Sequence, residues 1–178
     1  MAPDNPKSYI GLGDCYFAKN VFELALPQYQ QAIEKDPDYA ESYVRASQIY
    51  IEQGKYQEGA VMLDKAIRIA PNYAPAYMHM GELWRKAQDY EKARDNYKKY
   101  VELTGNDLYA QQRYASFLFL TQDYQQTIDV LESLDTTTNL GMRLLGMAHL
   151  EIGEAQKAQA YMRRYFAQIK EAHTIPTD

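Results

Sequence analysis

A recurrence with a period of 34 residues constrains this chain more than any other feature. The first unit contains Tyr9-x-x-Leu12-Gly13-x-x-Tyr16, and similar residues return one period later. The equivalent pairs are Tyr9 and Tyr43, Tyr16 and Tyr50, Tyr29 and Leu63, Ala32 and Ala66, and Pro37 and Pro71. A period of about 20 to 50 residues indicates stacked copies of one unit, because a single copy cannot bury its apolar face alone. The chain is therefore predicted to be a repeat protein.

Five units follow from this period, and each is predicted to form two antiparallel helices joined by a short turn. The units are residues 6–39, 40–73, 74–107, 108–138 and 139–172, followed by a flexible tail at 173–178. The turns inside the units fall at Gly54-Lys55-Tyr56, Gln88-Asp89-Tyr90, Gln122-Asp123-Tyr124 and Gly153-Glu154-Ala155. Together they predict a single all-α domain over residues 6–172.

Small residues are predicted where the two helices of a unit come close, since a larger side chain would hold the helix axes apart. They are Gly13, Ser47, Gly81, Ala115 and Gly146 on the first helices, and Ala25, Gly59, Ala93, Thr127 and Ala158 on the second. Pro27 breaks the pattern, because proline lacks a backbone donor and clashes with the preceding turn. We expect Pro27 to kink its helix or to delay the start of that helix.

These residues and turns resemble the tetratricopeptide repeat (TPR) family, and the resemblance covers nearly the whole chain. Five units in register make it specific, although another helical-pair repeat with a similar period would share the architecture. The resemblance implies an all-α, right-handed superhelical solenoid of about five helix-turn-helix repeats. It also implies that the first helix of each pair lines a concave face that binds peptide segments of other proteins.

The candidate groove is the stripe of the first helices that is not used in packing, since residues three and four apart share one helix face. It consists of Ile10, Asp14, Phe17, Val44, Gln48, Ile51, Met78, Glu82, Arg85, Gln112, Ser116, Phe119, Arg143 and Met147, with Leu150 next in the fifth unit. This mixture fits an amphipathic or extended peptide with apolar anchors. In an alternative interpretation Phe17, Ile51 and Phe119 belong partly to the core, and the groove is thinner.

One specific family function does not fit these residues. TPR co-chaperones hold the acidic C-terminal tail of heat-shock chaperones in a clamp of Lys, Asn and Arg on successive first helices. The matching positions here carry Ile10, Asp14, Arg45, Pro75 and His79. Only Arg45 is a cation where charge would be expected, and Asp14 would repel a carboxylate. We therefore reject the clamp for this segment.

No catalytic, metal or cofactor site is predicted. His79, His149 and His173 are far apart in sequence, and His149 occupies a position that aromatic residues fill in other units, which indicates packing. Met78-His79-Met80 offers donors that suit copper. Consecutive helix residues, however, point about 100° apart and cannot converge on one ion. Cys15 has no local histidine partner that would activate it as a nucleophile.

Composition excludes some partners and leaves the compartment open. A net charge of -5 and a pI near 5.3 argue against nucleic acid, because affinity for phosphates needs clustered Lys and Arg. No stretch approaches the ~18 apolar residues of a membrane span. The single cysteine, Cys15, cannot form an internal disulfide. A soluble segment of this kind fits the cytoplasm or, if an upstream signal was removed, the bacterial periplasm or envelope.

The first residues are expected to come from a longer array. Pro3-Asp4-Asn5 stands 34 residues before Pro37-Asp38-Tyr39, which ends a unit. A unit ending with no unit before it suggests that the native protein continues upstream, with Met1 and Ala2 added for expression. In the alternative, Pro3-Asp4-Asn5 caps the first helix of a natural start.

The predicted function is a non-enzymatic scaffold or adaptor that binds a peptide segment of another protein. A regulatory or substrate-recruiting arm of a larger enzyme is one alternative. The other is a structural array that self-associates weakly through an unfinished repeat end.

Overall fold

The predicted helical pairs are present in the structure, a computed structural model that describes residues 5–105, 107–134 and 138–173, with side chains to residue 170. These residues form ten helices and no strand. The helices are α1 (Pro6–Ala18), α2 (Phe22–Lys35), α3 (Ala40–Glu52), α4 (Tyr56–Ile69), α5 (Ala74–Lys86), α6 (Tyr90–Thr104), α7 (Leu108–Leu120), α8 (Tyr124–Glu132), α9 (Asn139–Glu151) and α10 (Ala155–His173). The all-α prediction is confirmed. All of the predicted tail except residue 173 lies outside the described residues.

The helices form two compact units. Unit 1 lies within Met1–Leu103 and contains the hairpins α1/α2, α3/α4 and α5/α6, apart from the last residue of α6. Unit 2 lies within Thr104–Asp178 and contains α7/α8 and α9/α10. In unit 1, α2 packs on α3, α4 packs on α5, and α3 contacts both α1 and α5. In unit 2, α8 packs on α9, and α7 contacts α9.

The core of each unit lies between successive hairpins, as expected when repeats contact only their neighbours. The second helix of one hairpin buries apolar residues against the first helix of the next. The shared clusters are Ala25, Tyr29 and Ala32 with Ala46 and Ile49; Leu63 and Ala66 with Ala76, Met80 and Leu83; and Ile128 and Leu131 with Leu145 and Ala148. Each first helix in these clusters is therefore covered on one side by the preceding second helix.

Every hairpin turn contains one residue with positive φ at the same place in the repeat. The values are 57° at Asn20, 72° at Gly54, 63° at Gln88, 63° at Gln122 and 84° at Gly153. At the second turn the N–H of Lys55 donates to the carbonyl of Tyr50 at 2.8 Å, and that of Gly54 to Ile51 at 3.1 Å. This backbone pattern ends helices in the left-handed region, where glycine is unstrained and a Cβ is not. The predicted turns are confirmed, and Gln88 and Gln122 are strained.

The prolines that end the first two units fix the entry of the next helix. The hydroxyl of Tyr43 donates to the carbonyl of Pro37 at 3.0 Å, and that of Tyr77 to Pro71 at 2.9 Å. A proline carbonyl has no intrahelical partner at this place, so the tyrosine hydroxyl satisfies it. The 34-residue spacing of these tyrosines therefore has a bonding role as well as a packing role.

Pro27 does not delay the start of α2. The helix begins at Phe22, 34 residues before α4 begins at Tyr56, and Pro27 is its sixth residue and is exposed. That part of the expectation is wrong, because the preceding turn fixes the start: the N–H of Val21 donates to the carbonyl of Tyr16 at 3.0 Å. Proline removes one bond inside the helix, but water can satisfy the exposed carbonyl that is left.

Close approach within a hairpin depends on matched side-chain sizes. A Cβ on Gly13 would lie 2.7 Å from Cδ1 of Tyr29, and a Cβ on Gly81 would lie 2.7 Å from Cε2 of Tyr97. Interiors are packed too densely to absorb such an overlap without a shift. The equivalent pairs elsewhere are Ser47 with Leu63, Ala115 with Leu131, and Gly146 with Met162. The tyrosine therefore occurs opposite glycine, and smaller second-helix residues occur where a Cβ is present.

We expect Gly81→Ser to lower the free energy of unfolding by about 1–3 kcal/mol through overpacking against Tyr97. Tyr97→Leu alone also destabilises, because it leaves a cavity and removes a hydrogen bond. The double variant recreates the Ser47–Leu63 pair, so its loss is smaller than the sum of the single losses by about 1 kcal/mol or more. Urea denaturation measures this. Gly11→Ser is the control, since a Cβ there meets nothing within 4 Å. Strictly additive losses would contradict the size matching.

Gln88→Gly and Gln122→Gly should each raise the free energy of unfolding by about 0.5–1 kcal/mol, because glycine removes the left-handed strain at a smaller entropic cost. The midpoint of urea denaturation reports the change. Gln53→Gly is the matched control: Gln53 has φ -82°, so glycine there brings only the entropic cost and should destabilise. Destabilisation by glycine at residue 88 would show that the turn is not strained.

Candidate protein-binding faces

The predicted groove residues occupy the fifth, ninth and twelfth positions of α1, α3, α5, α7 and α9. Burial divides them. Four of them are buried, with 9% or less of each residue exposed, and so are not available to a ligand: Ile10, Val44, Ile51 and Gln112. The half-buried residues are Asp14, Phe17, Gln48, Met78, Glu82, Arg85, Ser116 and Phe119, while Arg143, Met147 and Leu150 are exposed. Ile51 lies in a core cluster, and Phe17 and Phe119 pack against others, which agrees with the thinner groove.

Two carboxylates hold the guanidinium of Arg45 on the face of unit 1. Nε of Arg45 lies 3.7 Å from Oδ1 of Asp14 on α1, and Nη2 lies 3.2 Å from Oε1 of Glu41. The hydroxyl of Tyr29 donates to Asp14 at 2.7 Å, and that of Tyr39 donates to Glu41 at 2.8 Å. Burial and the hydrogen bond to Glu41 raise the pKa of Tyr39 to about 12, so it remains a donor at neutral pH. Arg45 is therefore engaged by this chain's own acids, which supports rejecting the carboxylate clamp.

A cavity of about 360 Å³ opens beside this group. It is lined by Lys7, Ile10, Gly11, Asp14, Tyr39 and Glu41. The cavity therefore combines an apolar floor with two carboxylates at the edge of unit 1.

A hydrogen bond between Gln48 of α3 and His79 of α5 joins these two first helices. Their Nε2 atoms lie 2.9 Å apart. An amide nitrogen only donates, so Nε2 of His79 accepts and the imidazole is neutral. Burial first, and then the positive charge of Arg45, lower the pKa of His79 to about 4, while Glu82 opposes the shift. The bond between α3 and α5 therefore persists at neutral pH.

Glu82 of α5 is held by two hydrogen-bond donors. Its Oε2 lies 2.6 Å from Nε of Arg85, and its Oε1 accepts from the hydroxyl of Tyr97 at 2.7 Å. At the thirteenth position Lys86 of α5 forms an ion pair of 2.7 Å with Glu52 of α3. The tyrosine opposite Gly81 thus reaches through the hairpin to hold a carboxylate on the face, as Tyr29 does for Asp14. We call these bonded polar side chains the polar row of unit 1: Asp14, Glu41, Arg45, Gln48, Glu52, His79, Glu82, Arg85 and Lys86.

Unit 2 presents more apolar side chains than unit 1 at the ninth, twelfth and thirteenth positions of its first helices. Met147 and Leu150 are the ninth and twelfth residues of α9 and are 37% and 60% exposed. Leu120, the thirteenth residue of α7, is exposed as well, and Phe119 before it is half-buried. We call Phe119, Leu120, Met147 and Leu150 the apolar face of unit 2. Sequence reasoning missed Leu120 because only three positions per helix were considered; the same period at the thirteenth position identifies it.

His149 is a packing residue, as its position in the repeat indicated. It is buried, its ring stacks on Tyr161 with centroids 5.4 Å apart, and Nδ1 lies 2.8 Å from Oε2 of Glu154. Cys15 is exposed. Within the described residues no group of three His, Cys, Asp or Glu side chains could hold a metal ion. In the same part of the chain no helix is both long and apolar enough to cross a membrane.

Paired helices, a positive-φ turn residue at the same place in each hairpin, and neighbour-to-neighbour packing define a helical-repeat protein. A sequence model described as tetratricopeptide repeat matches residues 22–83 and 50–117, which together span more than half of the chain. The chain belongs to the tetratricopeptide repeat family. A search of curated proteins gives no significant match.

Solved structures share this fold at low sequence identity. The chain is similar to MamA protein, with a TM-score of 0.82, 17% identity and 100% of both chains covered. It is similar to YrrB, described as a TPR protein with an unusual peptide-binding site, with a TM-score of 0.78, 20% identity and 93% and 87% coverage. For PilF of Pseudomonas aeruginosa the TM-score is 0.75, the identity 18% and the coverage 96% and 78%. Identities this low establish the shared repeat fold alone.

The lowered pKa of His79 makes stability depend on pH. The folded pKa of about 4 lies below the ordinary 6.5, so the unfolded chain binds the extra proton between these values. The contribution of His79 is therefore present above pH 6.5 and is lost as pH falls towards 4. In the His79→Gln variant we expect the free energy of unfolding to fall less than in the natural chain as the pH is lowered from 6.5 to 4. An imidazole NMR titration should give a midpoint near 4; a midpoint near 6.5 would contradict the buried neutral ring.

Proposed function

We propose that this protein is a scaffold or adaptor that holds a peptide segment of another protein on its first helices, with the apolar face of unit 2 as the anchor. The exposure of Met147 and Leu150 carries this proposal. Both are large apolar residues on a face whose equivalents in unit 1 are mostly polar. An exposed group of apolar side chains on a folded surface is typical of an interaction site.

Burial of these side chains provides the driving force. Covering a leucine or methionine fully is worth about 1.5–3 kcal/mol relative to leaving it in water. Met147, Leu150 and Leu120 are already partly covered, so together a partner gains roughly 2–4 kcal/mol from them. Exposed Arg143 stands one turn before Met147 on α9 and can pair with a carboxylate of the partner. The favoured ligand is an amphipathic segment with two apolar anchors and an acidic residue.

The polar row of unit 1 is proposed to contribute to the selectivity of binding more than to its affinity. Its side chains already bond to one another between neighbouring helices, so a ligand must exchange existing bonds for new ones. Such exchanges are worth only about 0.5–1.5 kcal/mol each. The cavity beside Asp14 and Glu41 is lined by charges of both signs, because Lys7 lies in its wall with the two carboxylates. Unit 1 is therefore proposed to select ligands more than to anchor them.

A binding role also fits the fold. YrrB, which shares this fold at 20% identity, is described as having an unusual peptide-binding site. We propose no catalytic step for either face, because the titratable side chains of unit 1 are engaged with each other, and the ninth and twelfth positions of unit 2 carry Ser116, Phe119, Met147 and Leu150.

A random peptide library displayed on phage, selected on the whole chain, tests the proposal. We expect ligands with paired apolar residues, and we expect Met147→Glu with Leu150→Glu to weaken their binding at least tenfold in fluorescence polarisation. Val61→Glu is the matched control, because Val61 is exposed to a similar degree but lies on α4, a second helix. Chemical-shift mapping with a selected peptide should perturb amides of α7 and α9.

Equal weakening by the Val61 variant would show a non-specific effect of charge. Selected peptides that bind the double variant as well as the natural chain would overturn the anchor role of α9. Far-ultraviolet circular dichroism of each variant establishes that the helices are intact.

A further inference from the structure

A further cavity of unit 1 lies at one end of the α3/α4 hairpin, where α3 begins and α4 ends. Its volume is about 600 Å³. The lining residues are Pro37 and Asp38 before α3, Tyr43 on α3, and Lys65, Arg68 and Ile69 on α4. We call it the hairpin-end cavity. Its lining includes none of the predicted groove residues and none of the apolar face of unit 2, so it is a separate surface.

The apolar wall of the hairpin-end cavity is fixed by the core. Tyr43 is buried, and its hydroxyl donates to the carbonyl of Pro37 at 3.0 Å. Ile69 is half-buried and packs against the same core cluster that contains Tyr43. The ring of Pro37 restricts its own backbone. A ligand therefore meets a preformed wall, and little ordering of the chain opposes binding.

Two cations of α4 line the cavity without an ion-pair partner. Lys65 and Arg68 are exposed and three residues apart, so they lie on one face of the helix. Neither forms an ion pair with a side chain in the part of the chain that the structure describes. Asp64, one turn before Arg68, is not among the lining residues. Nζ of Lys65 lies 5.8 Å from the ring centroid of Tyr43, so the cationic and apolar parts of the cavity are adjacent.

The third hairpin has the same frame, but its cation is neutralised. The residues 34 positions later are Pro71, Tyr77, Lys99, Glu102 and Leu103. The hydroxyl of Tyr77 donates to the carbonyl of Pro71 at 2.9 Å, as Tyr43 does to Pro37. Nζ of Lys99, however, lies 3.1 Å from Oε2 of Glu102. In the first hairpin the two positions carry Gln31 and Glu34. Within unit 1, only α4 has a cation at both positions.

We propose that the hairpin-end cavity binds an acidic segment of another protein. An acidic side chain of the segment pairs with Lys65 and Arg68, and a neighbouring apolar side chain lies against Pro37 and Ile69. A guanidinium binds a carboxylate through two parallel N–H···O bonds, and a lysine ammonium adds a further donor. This site shares no residue with the proposed peptide-binding faces and does not depend on them.

Asp38 favours a peptide over a phosphate as the occupant. Its carboxylate lines the same cavity and partly offsets the two cations. A peptide carries N–H donors beside its carboxylates, and Asp38 can accept from one of them. The oxygens of a phosphodiester only accept, so Asp38 repels them. The net charge of -5 on the whole chain also disfavours a densely charged polyanion.

The exposure of both cations determines the strength of this contact. Ion pairs between exposed side chains contribute little and are screened by salt. The apolar side chain against the preformed wall must therefore provide much of the affinity. We expect weak binding that falls as the salt concentration rises and that requires both an acidic and an apolar residue in the ligand.

A phage-displayed peptide library, selected on the whole natural chain and depleted on the Arg68→Glu variant, tests the proposal. This variant recreates the Lys99–Glu102 pair, which the third hairpin already accommodates. The remaining peptides should carry Asp or Glu beside an apolar residue. In fluorescence polarisation their binding should weaken at least tenfold in Arg68→Glu and severalfold in Lys65→Gln. Lys98→Glu is the matched control, because Lys98 is an exposed cation of α6, also a second helix.

A gain-of-binding variant tests the comparison between hairpins. Glu102→Arg leaves the third hairpin with two cations beside Pro71, Tyr77 and Leu103, so it should create a second site. Chemical-shift mapping with a selected peptide should perturb amides at the start of α3 and the end of α4 in the natural chain. In the Glu102 variant the start of α5 and the end of α6 should respond as well. No added response there would contradict the role assigned to the cation pair.

Three further results would overturn the proposal. One is equal binding of every selected peptide by the natural chain and the Arg68→Glu variant. Another is a set of selected peptides without acidic residues. The third is binding of duplex DNA or anionic lipid vesicles that is lost in the Arg68 variant, because it would assign the cations to phosphate. Thermal denaturation of each variant shows that the fold is intact. Retained binding by Met147→Glu with Leu150→Glu separates this site from the proposed function, and its loss there would place the ligand on α9.

Discussion

The structure depends on one constraint: a hairpin of two short helices cannot bury its apolar face alone and must place it on the next hairpin. Helices of 13 or 14 residues, the lengths of α1 to α5, are marginal in water by themselves. Packing of α2 on α3, α4 on α5 and α8 on α9 provides what they lack. Stability is then a sum over neighbouring contacts instead of the property of one central core.

The same packing determines the chemistry of the exposed faces. Because Gly81 has no side chain, Tyr97 lies close beneath α5, and its hydroxyl reaches Glu82 on the far side. Gly13 and Tyr29 do the same for Asp14. Two carboxylates of unit 1 are thereby oriented by residues of the core. In unit 2 the positions of Tyr29 and Tyr97 are occupied by Leu131 and Met162, and the positions of Asp14 and Glu82 by Ser116 and Met147. Where the buried tyrosine is absent, the carboxylate on the exposed face is absent as well.

Sequence periodicity predicted the helices and turns well, because helix ends, small residues and prolines recur at fixed spacing. The delayed start expected as one effect of Pro27 is wrong, because the turn at Asn20 sets the start of α2 at Phe22. The groove was predicted only by position. Burial of Val44 and the bond between Gln48 and His79 depend on how neighbouring first helices approach each other, and a period carries no information on that distance. The groove thus remains a prediction, and only its half-buried and exposed residues are accessible to a ligand.

Native-state hydrogen exchange in dilute solution tests the dependence on neighbours most directly. Amides of α3 and α4, whose hairpin contacts a hairpin on either side, should exchange slowest. Amides of α1 and α10 should exchange fastest among the hydrogen-bonded helices, because each has one face without a neighbour. A gradient of protection from α3 towards α1 would support the account. Protection in α1 and α10 as high as in α3 would contradict it, because the chain would then open as one cooperative unit regardless of which faces are covered.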